Sequence, residues 1–232
     1  ASVVLWLVTL LTLRGVKGAA SVNVIVTIAK VVPILTFVAI AAVGFKAGIF
    51  TADFWGTGNT DLGGTMNQVK SMMLVNVWVF IGIEGAAVFS KRASKRSDVG
   101  RATVIGFLGV LGLLLAVNLL SYGLMEQAKI AGLEDPSMAG LLKHEVGAWG
   151  AVFISVGLIV SLLGALLSWV LLCVEILHLP AVEHVMPRAL AKENAHGAPA
   201  TALLVTTLCV QAMLLWTLKN GSTYLDLLYL AT

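Results

Sequence analysis

The sequence predicts an all-α membrane protein with about five full transmembrane helices and two truncated ones. Three observations predict it. Of 232 residues, 59% are hydrophobic and only 12% charged, about half the roughly 25% charge of a soluble domain. Apolar runs at 19–45, 71–90, 102–125, 149–177 and 198–218 are each near or above the ~20 residues that cross a ~30 Å hydrocarbon core. These runs are rich in Leu, Val, Ala, Ile and Gly and lack the apolar–polar alternation of barrel strands.

Taken in order, "ASVVLWLVTLLTL" offers 13 residues before Arg14, about 20 Å of helix, too short to span. It has neither the basic start nor the small-residue cleavage site of a signal peptide. The far end, "TYLDLLYLAT", stops as another apolar run begins, so the chain reads as the middle of a longer protein. The first complete helix holds Lys30 and Pro33; Lys30 either neutralises a partner in the bundle or reaches the cytoplasmic interface on its long stem. In the third, "GFLGVLG" at 106–112 predicts close packing of another helix. The fourth carries Ser168, Trp169 and, near its cytoplasmic end, Glu175, which is expected to snorkel. Cys173 and Cys209 sit inside apolar runs and read as small packing residues, not a disulfide.

Connections assigned by parity can be tested by charge. One side collects Arg14, Lys17, Lys91, Arg92, Lys95, Arg96, Arg101, Arg188 and Lys192, and the other only Lys46, Lys70, Lys129, Lys143 and Lys219. Basic residues mark the cytoplasmic side, which places "KRASKRSDVGR" there as a topology anchor. The 179–197 connection mixes apolar and polar residues between prolines and predicts a short interfacial helix. The 126–148 segment, with Glu126, Glu134, Asp135 and Glu145, reads as a mildly acidic, solvated outer loop. Net charge is +3, and because it follows membrane topology it implies no nucleic-acid partner.

Enzyme chemistry finds little footing. His144, His178, His184 and His196 have no HExxH spacing and sit in connections or at helix ends, so no metal site is expected. There is no GxSxG elbow and no GxxxxGK phosphate loop. One stretch stands out: "VNVWVFIGIEGAAVF", residues 75–89, where Glu84 lies between Gly82 and Gly85. Glycine costs roughly 1 kcal/mol in a helix interior, and an acid at mid-span costs on the order of 2.5–3.5 kcal/mol. Either the helix opens at Ile81–Gly85, since freed backbone is tolerated at membrane depth where it lines a cavity, or both glycines only let another helix pack closely. Broken helices of this type build the midplane sites of secondary transporters. Trp78 and the mid-span Trp169 add ring faces that suit a cationic ligand.

Together these residues resemble a family. "VWVFIGIEGAAVFSKRASKRSDVGRATVIG" is similar to the sixth helix and following cytoplasmic loop of the amino acid–polyamine–organocation transporters. Among them it most resembles the basic amino acid antiporters, and arginine/ornithine antiporters in particular. "WGAVFISVGLIVSLLGALLSWVLLCVEILHLPAVEHVMPRALAKENAHGAPATALL" is similar to their eighth helix, interfacial segment and start of the ninth. The resemblance implies a fold of about twelve helices with inverted repeats, of which residues 1–45 would end the first repeat and 71–232 form most of the second, all in one transmembrane domain. It also implies roles: Trp78 as an aromatic gate, Ile81 as the carbonyl receiving the substrate's α-amino group, and Gly82 and Gly85 at the break. Glu84 would serve gating or coupling, and Trp169 would pack on the substrate's cationic side chain. Val79 stands where an acid-resistance relative has a serine.

The function expected is arginine/ornithine exchange by alternating access in a bacterial inner membrane, with no cofactor. The alternative within the class is a lysine, agmatine or polyamine exchanger or permease; outside it, a channel or structural membrane subunit. Expected partners are the basic amino acid, the lipid bilayer and, as an assembly, a homodimer.

Overall fold

The computed structural model describes residues 1–52, 54, 64–83, 85–88, 90, 95–221 and 226–227. The described residues form α1 (Ser2–Leu13), α2 (Val16–Gly44), α3 (Ala47–Ala52), α4 (Thr65–Phe80), α5 (Gly85–Val88), α6 (Arg96–Leu124), α7 (Gln127–Ala131), α8 (Ser137–Val146), α9 (Ala148–Val182) and α10 (Ala200–Asn220), and a 3₁₀ turn lies at Arg188–Ala191. No strand occurs among them.

Four of these helices are long and apolar enough to cross a membrane: Ile25–Gly44 of α2, Ser97–Leu124 of α6, α9 and α10. The expected span at 71–90 is not among them, because the chain leaves the helix after Phe80. α1 stays short, as its 13-residue run required. Gly15, at φ 133°, turns the chain out of it, a conformation that suits glycine. The 126–148 segment departs from a solvated loop. It folds into α7 and α8, and Leu141 and Leu142 of α8 are buried. The interfacial helix expected within 179–197 is only the 3₁₀ turn, which starts after Pro187 and ends where Lys192 is extended.

The chain divides into two compact units. In the unit of residues 27–79 and 104–161, Phe37, Ala41, Leu124, Leu141, Leu142 and Ile154 form the core. There Gly157 of α9 lies against the Pro33 ring, whose side chain would meet any Cβ at 2.5 Å. The other unit, 1–26, 80–103 and 162–232, is centred on Leu5, Val170, Val174, Ala202 and Leu203. Its α1 and α10 are joined by polar contacts as well. The Thr9 and Thr207 hydroxyls meet at 2.9 Å, and the Gln211 amide donates to Ser2 Oγ at 3.0 Å. Such contacts between membrane helices hold because lipid offers no competing partner.

In the same unit Gly164 abuts the Val26 side chain so closely that a Cβ would collide with it. Gly164→Ala is therefore expected to destabilise the protein by about 1–3 kcal/mol, the usual range for overpacking. The check is a lowered midpoint in a thermal-unfolding scan of the detergent-solubilised protein. By contrast Gly106, Gly109 and Gly112 have nothing within 4 Å of a Cβ position. The close packing expected of "GFLGVLG" is not made by any described residue.

Glu175 also departs from expectation. It is 3% exposed instead of snorkelling, because α9 continues through Pro180 to Val182 and leaves it well inside the helix beside Val174. Cys173 and Cys209 are free thiols, the first half-buried and the second exposed. Only Cys173 packs inward.

Candidate substrate site at the break between α4 and α5

The break is built by glycine. α4 ends at Phe80, Ile81–Ile83 make a turn, and helix resumes at Gly85. Bonding here spans three residues: Ile83 N–H donates to the Phe80 carbonyl at 3.3 Å and Gly85 N–H to the Gly82 carbonyl at 2.9 Å. In a continuous helix Gly85 N–H would reach the Ile81 carbonyl; the turn leaves that oxygen without its helical donor. Gly82 adopts φ 100°, a region that residues with a Cβ rarely enter. The opening of the helix around Ile81–Gly85 is thus present in the backbone. Glu84 lies outside the described residues.

Across from the break stands α9. A Cβ at Gly82 would lie 3.2 Å from both Cη2 and Cζ2 of Trp169, so the six-membered edge of the indole rests on bare backbone. One helical turn along each segment the match repeats: Gly85 faces the Leu172 methyls, which a Cβ would meet at 3.6 Å. Trp169 and Leu172 share a face of α9 by their i, i+3 spacing. Trp169 remains 43% exposed, which leaves ring surface for another contact. Ser168 beside it turns its hydroxyl back to the Gly164 carbonyl at 2.9 Å.

Of the residues singled out in the sequence, the structure brings Gly82 and Trp169 together. Ile81 is half-buried in the turn. Trp78, half-buried in the last turn of α4, belongs to the other compact unit. Lys30 is half-buried in α2. Among the described residues no cluster of His, Cys, Asp and Glu could hold a metal ion.

Sequence reasoning overlooked Leu172, although the matched i, i+3 spacings of Gly82–Gly85 and Trp169–Leu172 were available. His178, expected only in a connection or at a helix end, is buried. The imidazole is 5% exposed, with Nδ1 3.2 Å from the Leu190 carbonyl and Nε2 3.3 Å from a Glu193 carboxylate oxygen.

Residues 1–232 match the pattern of the amino acid permease family. The chain belongs to that family. This amino acid permease chain is 61% identical over 214 residues to an arginine/ornithine antiporter of Pseudomonas aeruginosa, covering 92% of the chain and 44% of that relative. It is 40% identical over 226 residues to an arginine/ornithine antiporter of Latilactobacillus sakei, covering 97% of the chain and 48% of the relative. An L-lysine transport protein of Corynebacterium glutamicum is 43% identical over 232 residues, 100% of the chain and 46% of the relative. The permease chain thus spans about half the length of these curated relatives. Family and helices together make it part of a multi-pass membrane protein.

Proposed function

We propose that the protein carrying this chain exchanges arginine for ornithine across the inner membrane by alternating access, and is not an enzyme. The observation that carries this reading is the glycine-opened turn at Ile81–Gly85 held against Trp169. An oxygen without its helical donor is a natural acceptor for an ammonium group, and an exposed indole face attracts a cation. In this reading the Ile81 carbonyl receives the α-amino group and Trp169 stacks on the cationic tail. Trp78 closes the site as a gate, Gly82 and Gly85 keep the backbone open, and Glu84 serves gating or coupling. Residues 1–45 would complete a first inverted repeat and 71–232 supply most of a second. The names of the Pseudomonas and Latilactobacillus relatives support the substrate pair. The lysine transport relative supports the second reading, a lysine exchanger using the same turn. The homodimer draws no support from these findings.

Arginine and ornithine each carry one net positive charge at neutral pH, so one-for-one exchange moves none. An empty site would carry unpaired backbone dipoles through the switch, and such groups cost several kcal/mol each in lipid. The loaded carrier should therefore reorient faster than the empty one. The experiment is uptake of labelled arginine by vesicles containing the protein at its full genomic length, preloaded with ornithine, with lysine, or left empty. Strong uptake only into ornithine-loaded vesicles, insensitive to membrane potential, is the expected result. Potential-driven uptake into empty vesicles would mean a channel or uniporter. Preference for lysine-loaded vesicles would favour the second reading.

Trp169 has its own signature. Trp169→Leu is expected to weaken arginine binding by about 0.5–2 kcal/mol, and Trp169→Phe to retain part of it. Titration calorimetry on folded variants reads the difference. Equal losses in both would assign the ring to packing alone.

A further inference from the structure

The connection between α9 and α10 is pinned to the protein by its polar groups. Asn194 donates through Nδ2 to the Leu13 carbonyl at the end of α1, at 2.7 Å. Its Oδ1 accepts from the backbone N–H groups of His196 and Ala198 at 2.9 and 3.0 Å. On the other side of the 3₁₀ turn, His178 meets the Leu190 carbonyl and the Glu193 carboxylate. At the start of the connection the Val185 and Met186 amides both donate to the Pro180 carbonyl, at 2.9 and 3.2 Å. The tip is a tight turn whose shape the protein itself sets.

What this pinned turn shows to its surroundings is sorted by charge. Its acids are not free: Glu193 lies 3.3 Å from His178 Nε2, and Glu183 has an interaction of its own. Its bases differ. Arg188 and Lys192, and Arg14 next to the carbonyl that Asn194 holds, are exposed and form no ion pair among the described residues. Beside them Val185 and Met186 are 77% and 38% exposed. The turn joins the ends of two membrane-length apolar helices, on the side where basic residues outnumber those opposite. Exposed apolar residues next to exposed cations, at the depth where a span leaves the hydrocarbon, match the chemistry of an anionic lipid surface.

We propose that the 182–192 turn is a docking surface for anionic phospholipid headgroups of the cytoplasmic leaflet, with Val185 and Met186 entering the interface and Arg14, Arg188 and Lys192 taking the phosphates. It concerns a face remote from the substrate contacts and does not depend on the transport reading.

The test measures depth, not transport. The protein at full genomic length, with Cys173 and Cys209 replaced by serine along with any further cysteines, receives a nitroxide at Val185→Cys. It is placed in vesicles of phosphatidylcholine with or without phosphatidylglycerol. Electron spin resonance then compares collisions with oxygen, which concentrates in the bilayer, against an aqueous nickel chelate. The expected result in phosphatidylglycerol vesicles is an oxygen-accessible, nickel-shielded label. It should shift toward nickel in pure phosphatidylcholine and in Arg188→Gln/Lys192→Gln, while Arg188→Lys/Lys192→Arg keeps the shielded signal. A label open to nickel in both lipids overturns the proposal, leaving the turn facing water or a soluble partner. A shielded label indifferent to lipid charge and to the glutamine variant also overturns it, leaving apolar contact without headgroup recognition.

Discussion

Gly82→Ala is expected to cut arginine exchange by roughly ten- to a hundredfold. Backbone at φ 100° disfavours any residue with a Cβ, and holding one in such a region costs on the order of 1–3 kcal/mol. The new methyl would also sit 3.2 Å from two indole carbons of Trp169, so the ring must yield by a few tenths of an ångström or the turn must close. Either response moves the two groups assigned to the substrate, and each 1.4 kcal/mol is tenfold in an equilibrium. Gly85→Ala, at the other glycine of the break, is expected to lose less. Its methyl would reach Leu172 at an ordinary 3.6 Å, and Gly85 is the first residue of α5, where alanine is a good helix former. Exchange into ornithine-loaded vesicles, normalised to the folded fraction by size exclusion, is the measurement. Equal activity of the two variants would remove Gly82 from the site.

The second large effect concerns stability. Asn194→Ala deletes the donor to Leu13 and the acceptor shared by His196 and Ala198. A hydrogen bond contributes about 0.5–1.5 kcal/mol net, and a stranded polar group costs about 1–3 kcal/mol. The loss expected is about 2–4 kcal/mol, read as a drop in the thermal midpoint in detergent. Asn194→Asp keeps the acceptor and loses the donor, so it should fall between. A midpoint unchanged in Asn194→Ala would mean that α1 is held by its apolar contacts and its Thr9–Thr207 and Ser2–Gln211 contacts without it.

The spans at 25–44, 97–124, 148–182 and 200–220 were legible because hydrocarbon demands a long apolar run, and composition states that directly. The opened turn was legible because two glycines around an acid have no good reason to sit in an apolar helix. Trp169 could be singled out, but that its ring edge meets Gly82 depends on tertiary packing between segments more than eighty residues apart, which periodicity does not encode. The same limit hid α8. Its short helix is amphipathic and gains stability by burying Leu141 and Leu142, while the acids of the 126–148 segment point to solvent in the sequence. Glu175 was misjudged because the end of α9 was placed too early. Proline ordinarily interrupts a helix, yet here the chain stays helical through Pro180.

The length of α9 has a consequence of its own. Thirty-five helical residues measure about 52 Å, against a hydrocarbon thickness near 30 Å. No modest tilt absorbs that excess, so part of the rod stands clear of the acyl chains. Glu175 and His178, both in its last third, are 3% and 5% exposed, so packing within the protein already shields them whatever the depth of that end. Bilayer thickness becomes a variable that acts on this helix directly. A thicker membrane draws its polar end toward the acyl region, and a thinner one exposes apolar turns nearer Ala148, each at fractions of a kcal/mol per ångström.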